Sequence, residues 1–426
     1  MSSTSSPIAT TTPAVPAPPA GRSGLARLLD LLAMPALALV TAFIAGGVVI
    51  WITSGSFSTV IQAYDGLARG AFFKQRGFSE TLVATVPYIF LALGVAVGFK
   101  SGLFNIGVEG QFYMGALGAA WIGQLLPGLP AIIHLPLTLL AGALAGAVWA
   151  VIPGYLKAKT GAHEVISTIM LNYVAFRFVE FIVGGPLRAE GTTAVQTPRV
   201  QPAAELWSLY AIPERLADPL NAFGVALAFA FVAWLIARWL LGRQGAAGAN
   251  RRAIPLGVAL AVGLLAFFLL PPLTRAWWPF QDQYDRMHIG LILAIGMAVF
   301  VWWLLWKTTI GFELRTVGAN PAAARYAGIN ITRNIVLAMA ISGGLAGIAG
   351  TVEILGVSIC RCLPQLFVSG YGFDSIAIAL LGKNNPFGIL AASFLFGAMR
   401  NGQDLMELNS GVSKYVISLI QALVLL

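Results

Sequence analysis

GFELRTVGANPAAARYAGI, Gly311 to Ile329, stands between two apolar runs, HIGLILAIGMAVFVWWLLW (residues 288–306) and IVLAMAISGGLAGIAGTVEILG (residues 335–356). Both runs have the length, ~20 residues, that crosses ~30 Å of hydrocarbon as a helix. The segment between them cannot follow them in, because Glu313, Arg315 and Arg325 would each cost roughly 2.5–3.5 kcal/mol there. It therefore lies at a membrane surface, and its residues predict a short helix. Asn320 offers a side-chain oxygen to the free N–H groups of a first turn. Pro321 suits the first helical position, where no N–H is needed. Ala322, Ala323 and Ala324 are the strongest helix formers, and Gly328 can end the helix in the left-handed conformation. A helix of about two turns, roughly 10 Å long, does not persist alone in water. Flanking membrane helices or a docked protein must hold it.

The rest of the chain repeats the apolar pattern. Of 426 residues, 58% are hydrophobic and 10% charged, against about 45–50% and about 25% in soluble proteins. The apolar runs are continuous rather than alternating, which predicts helices and not barrel strands. The fold class is all-α and polytopic. Spans are predicted at residues 31–52, 81–99, 102–124, 132–152, 164–184, 222–241, 254–270, 288–306 and 335–356. Two short pieces, Phe373–Leu381 and Phe387–Met399, are split by Gly-Lys-Asn-Asn-Pro, and a last one runs from Val412 to Leu426. This makes about 10–12 membrane segments, broken or re-entrant ones included. Residues 1–27 read as a disordered cytosolic tail, rich in Ser, Thr, Pro and Ala as far as Ala20. Residues 28–426 read as one membrane domain, whose loops at 54–80 and 185–221 are too small for catalytic domains.

Charge sets the orientation. With the N-terminus inside, Lys100, Lys157, Lys159, Arg243, Lys307, Arg315, Arg325 and Arg333 all fall on the cytosolic side. The net charge of +9 is thus an orientation signal and does not point to nucleic acid. Cys360 and Cys362 are one residue apart, a spacing poor for a local disulfide and foreign to zinc signatures, so they are read as incidental. His134, His163 and His288 are scattered without an HExxH pattern, and no metal site is expected. The absence of GxxxxGK[ST] implies that this chain does not hydrolyse ATP itself.

Polar residues also occur inside the apolar runs. If the chain is helical from Gly102, Glu109 lies about 10 Å deep and shares a face with Asn105, four residues before it. An ionisable group at that depth is a functional candidate; a glutamate that hydrogen-bonds a neighbouring helix and fixes packing is the other reading, and both stay open. Asn172 either lines a path or pins helices. Asp374, Lys383, Asn384 and Asn385 interrupt the last apolar region, and such breaks are tolerated where the backbone is buried in protein or lines a cavity. Gly142 with Gly146, and Gly343 with Gly347, have the spacing of close helix packing.

GFELRTVGANPAAARYAGI closely resembles the cytosolic coupling segment of permease subunits of bacterial ABC importers, in the branch for ribose-like sugars, nucleosides and, more distantly, branched-chain amino acids. GLFNIGVEGQF (Gly102–Phe112), HEVISTIMLNY (163–173), SGGLAGIAGTVEILG (342–356) and GYGFDSIAIALLGKNNPFG (370–388) are also similar to that family, in its order, and the blocks cover most of 81–402. Residues 222–287 depart from the pattern with an added helix pair joined by the basic loop Gly242–Arg252, and residues 1–20 lie outside it.

The resemblance implies a multi-pass subunit of the bacterial cytoplasmic membrane that forms a path with a second permease subunit, identical or a sister. ABC ATPase subunits would dock on the coupling segment 311–329, at Gly318, Asn320, Pro321, Ala323, Ala324, Arg325 and Gly328, and would use ATP themselves; this chain would bind no cofactor. A periplasmic or lipid-anchored substrate-binding protein would deliver solute at the outer loops. Asn105, Glu109, Gln111 and Asn172 become candidates for the translocation path. FNIGVEGQ resembles the nucleoside branch, with simple sugars next. An ion-coupled secondary transporter using Glu109 and a broken helix is the alternative, and a membrane-embedded enzyme lacks a catalytic set.

Overall fold

The computed structural model describes residues 24–243, 250–277, 279–280, 282–367 and 370–423. Residues 1–23 of the expected tail and 244–249 of the 242–252 loop lie outside the described residues, whereas residues 24–27, expected in the tail, belong to the first helix.

The described residues begin with α1 (Gly24–Ser54) and α2 (Phe57–Ala68), the latter running into a π-turn at Arg69–Phe73. The polar segment 54–80, expected as a loop, is therefore largely helical. Its apolar residues explain why: Val60, Ala63 and Leu67 recur at helical spacing, and this stripe is buried. α3 (Gly77–Lys100) is apolar on all sides and is the central helix, buried along most of its length. Then follow α4 (Val108–Leu125), α5 (Ala131–Thr160), α6 (Glu164–Gly184), the short α7 (Ile212–Ala217), α8 (Pro219–Arg243) and α9 (Asn250–Trp277). The second half holds α10 (Gly290–Lys307), α11 (Thr309–Ala319), α12 (Pro321–Tyr326), α13 (Ile331–Val352) with a π-turn at Glu353–Val357, α14 (Tyr371–Leu381), α15 (Pro386–Ser410) and α16 (Tyr415–Leu423). Seven of the described helices, α3, α5, α6, α8, α9, α10 and α13, are long and apolar enough to cross a membrane. The polytopic all-α class follows.

α13 is the second central element. It packs on α3, α4 and α5, and glycines set how closely. A Cβ on Gly146 would lie 2.8 Å from the Cα of Gly347. Only hydrogen fits there, so the small-residue pairs seen in the sequence do bring two backbones together. α8 and α9 pack mainly on each other and meet the rest through α5 and α7.

Further expectations are corrected. The helix expected from Gly102 begins only at Val108, and residues 101–107 are irregular. Gly102 adopts φ +72°, which ends α3 where a side-chain-bearing residue would be strained. The piece expected at 387–399 continues as α15 to Ser410. Asn401 can stay in that helix because its amide donates to the Gly70 and Gly77 carbonyls and to Thr81 Oγ1. Cys360 and Cys362, read as incidental, are disulfide-bonded, with their Cα atoms 5.1 Å apart. The loop around them pairs with residues 195–200: Val200 N–H donates to the Arg361 carbonyl at 2.9 Å, and Thr197 N–H to that of Leu363 at 2.9 Å. Between the sulfurs, Arg361 takes a left-handed φ of 52°, which turns the chain back on itself. Sequence spacing alone does not carry that turn.

Candidate functional site

The segment 308–330 is a two-helix element at one surface of the protein. Thr308 Oγ1 accepts the Gly311 N–H at 3.0 Å and starts α11. Gly311, Leu314 and Val317 point into the protein at helical spacing. Arg315 Nε donates to the Leu305 carbonyl at 2.9 Å, and Glu313 Oε2 accepts from Asn334 Nδ2 at 3.0 Å. Two of the three charges that could not enter hydrocarbon, Glu313 and Arg315, thus have partners within the protein. Lys100 and Arg315 lie over the Trp306 ring and Lys307 over Trp302, an aromatic and cationic band of the kind found at membrane interfaces.

α12 forms as its sequence predicts. Asn320 Oδ1 accepts the N–H groups of Ala322 at 3.0 Å and Ala323 at 3.1 Å. Pro321 occupies the first turn, and Gly328 closes the end at φ +77°. The packing sorts the residues expected to meet an ATPase. Ala323 and Arg325 face outward, as does Tyr326, which is 96% exposed. Ala324 faces the other way and is fully buried. Gly318 also faces inward: a Cβ there would meet the Gly102 nitrogen at 2.6 Å. Asn320, Pro321 and Gly328 shape the helix. Sequence reasoning missed α11, whose signal was the spacing of Gly311, Leu314 and Val317.

Gly318 connects this element to the interior, since the turn it touches opens the break at 101–107. The four residues singled out for a path gather around that break, each between 1% and 3% exposed. Asn105 Nδ2 donates to Gln111 Oε1 and to Ser342 Oγ, both at 2.9 Å. Asn172 spans the break: its Oδ1 accepts the Gly110 N–H at 2.8 Å, and its Nδ2 donates to the Ile106 carbonyl at 3.0 Å. Glu109 accepts the backbone N–H groups of Gly370 and Gly372. Asn105 and Glu109 do not share a helix face, because residue 105 precedes the helix. Asn105 and Gln111 bond each other, while Asn172 and Glu109 bond backbone groups; together the four make a polar belt that joins α4, α6, α13 and α14. Asp374, read only as part of a helix break, accepts from Tyr88, and Arg400, not singled out in the sequence, lies over the Tyr371 ring. The available signal for Arg400 was a charge one residue beyond an apolar run.

The family described as the permease component of branched-chain amino acid transport systems matches residues 77–426. The chain is 33% identical to the guanosine ABC transporter permease protein NupP of Bacillus subtilis, over 93% of this chain and 92% of that protein. It is 29% identical to the nucleoside ABC transporter permease protein NupB of Lactococcus lactis (92% and 89% covered) and 30% identical to the glucose ABC transporter permease protein TsgB13 of Haloferax volcanii (92% and 85% covered). No solved structure matches significantly. These likenesses set aside the ion-coupled alternative. Spanning helices, a capped surface helix seated on them, and a match over most of its length together show that the chain belongs to the family of branched-chain amino acid transport system permease components, as a membrane-spanning translocation subunit of an ABC importer.

Proposed function

We propose that this subunit forms a passage for a nucleoside or simple sugar together with a second permease subunit, identical or a sister, in the bacterial cytoplasmic membrane. Residues 28–426 make up the permease domain, with 222–287 as an added helix pair and 311–329 as the coupling segment. The N-terminus lies in the cytosol, in keeping with the cationic band at the α12 surface. Nucleosides are favoured by the guanosine and nucleoside names of two relatives, and a glucose-named relative keeps simple sugars in view.

One observation carries the reading. α12 presents Ala323 and Arg325 to the outside, while the adjoining Gly318 rests on the turn that opens the break before Glu109. ABC ATPase subunits dock on the exposed face and consume ATP; no cofactor belongs to this chain. A periplasmic or lipid-anchored binding protein delivers the solute on the opposite side. Movement of α12 reaches residues 101–107 through Gly318, and the belt of Asn105, Glu109, Gln111 and Asn172 frames the path that opens there. The test is uptake of a labelled nucleoside in cells with and without the cognate ATPase. Uptake should vanish without it. Uptake that persists, yet collapses with the proton gradient, overturns the reading.

A further inference from the structure

A second polar cluster lies deeper among the central helices. Halfway along α3, Tyr88 is fully buried. Its hydroxyl donates to Asp374 Oδ2 at 2.8 Å and stands 3.4 Å from Arg400 Nη1, which donates to it. The rings of Tyr88 and Tyr371 meet edge-on with centroids 4.7 Å apart. The Arg400 guanidinium lies 3.9 Å from the Tyr371 centroid, and Phe112 flanks that ring at 5.8 Å. Glu353, at the start of the π-turn that ends α13, is within electrostatic reach of Arg400, Arg286 and Arg361. Arg286 is engaged by Glu80 and by the Val357 carbonyl.

Two atoms of this cluster are incomplete. Glu353 Oε2 and Arg361 Nη1 are both buried and have no hydrogen-bond partner among the described residues. Native proteins leave few such atoms, because each keeps its desolvation penalty without compensation. A purely structural cluster that includes Glu353 and Arg361 would be expected to close on itself. Buried ion groups are also poor net stabilisers compared with apolar packing. Ionisable groups inside a membrane domain instead mark solute pathways.

We propose that this cluster is a solute-holding site for a neutral nucleoside. The base stacks on Tyr371, displacing the Arg400 guanidinium, a flat group that now covers that ring. The ribose hydroxyls, which both donate and accept, bridge the Glu353 carboxyl oxygen and the Arg361 guanidinium. The proposal rests on the nucleoside-or-sugar reading above and deepens it. A base-free sugar uses the Glu353–Arg361 pair alone.

The test uses the assembled transporter in proteoliposomes, with its ATPase, partner permease and binding protein. Uptake of labelled guanosine and of labelled ribose is measured beside ATP hydrolysis. Glu353→Gln is expected to lower solute moved per ATP hydrolysed by about tenfold for either probe. Tyr371→Leu should lower guanosine uptake by about tenfold and ribose uptake by less than about twofold. Should Tyr371→Leu fail to assemble, or ribose not be carried, the ratio for Glu353→Gln decides. Wild-type ratios in Glu353→Gln and Tyr371→Leu overturn the site while leaving the solute reading intact. So does a parallel loss of uptake and ATP hydrolysis, the mark of a structural clamp. A wild-type transporter that moves neither probe overturns the solute reading, and the site with it.

Discussion

Glu109 caps the helix that begins at Tyr371: its Oε1 accepts the Gly370 N–H at 3.0 Å, and its Oε2 accepts the Gly372 N–H. The first N–H groups of a helix have no partner within it, and their positive end favours a carboxylate. One side chain thus fastens the first turn of α4 to the start of α14, more than two hundred residues later. Glu109→Gln turns one acceptor into a donor that faces an N–H. A loss of about 1–2 kcal/mol is expected, visible as a lower melting temperature of the detergent-purified subunit. An unchanged melting temperature would mean that the cap contributes nothing.

Neighbouring alanines on α12 should respond differently. Ala323 is exposed and Ala324 fully buried. Ala323→Glu should keep the wild-type amount of protein in the membrane while the ATPase no longer co-purifies. Ala324→Glu places a carboxylate where a methyl group packs, and the amount of folded protein should itself fall. Equal behaviour of the two variants would contradict the orientation of α12.

Gly318 and Gly102 meet backbone to backbone. A Cβ on Gly102 would lie 2.9 Å from the Gly318 Cα, at a φ of +72°. Gly102→Ala combines a strained dihedral with a steric contact, and Gly318→Val drives a branched side chain into the Lys100–Gly102 turn. Each should destabilise by about 1–3 kcal/mol. Steady-state membrane levels and protease resistance report the loss; tolerance of Gly318→Val would show that α11 and the turn can separate freely.

The start of α3 and the 282–286 segment are joined at three points: Arg76 to Asp282, Ser79 to Asp285 and Glu80 to Arg286. The Arg76 hydrogen bond, helped by the Tyr284 N–H, holds the Asp282 carboxyl below the usual carboxylate range. A depressed folded pKa contributes stability above the unfolded pKa of about 4, and that contribution is lost as pH falls through the folded value. Hydrogen exchange of residues 282–287, corrected for its intrinsic pH dependence, should therefore stay slow from neutral pH down to about 4 and rise below it. Asp282→Asn should raise it at neutral pH. A rise in the wild type already near pH 6 would exclude Asp282 as the titrating partner.

The disulfide has a direct chemical test. Neither Cys360 nor Cys362 should react with a maleimide reagent in the folded, unreduced protein, and both should react after reduction. Labelling before reduction would show the pair to be open.

Much of this molecule was written locally. Helix formation over the apolar runs, the Asn320 cap, Pro321 in the first turn and Gly328 at its end each depend on neighbours within about one helical turn, so the residues by themselves determined a membrane-spanning helical protein with a short capped helix at its surface. The glycine pairs on α5 and α13 were equally legible, because a missing side chain lets two backbones come close wherever they cross. Tertiary structure alone decided the rest. It turned Ala324 inward and Ala323 outward, a choice made by the surface beneath α12 and not by α12. It interrupted the helix expected from Gly102, since the Asn105 and Asn172 side chains hold the open backbone in place of a helical ladder, and Gln111 holds Asn105. It closed Cys360 on Cys362 through a left-handed residue pinned by a loop from elsewhere in the chain. And it set Arg400 against Tyr371 and Tyr88, a meeting of α15, α14 and α3 that no local pattern records, because burial of a charge depends on what surrounds it in space and not on its neighbours in sequence.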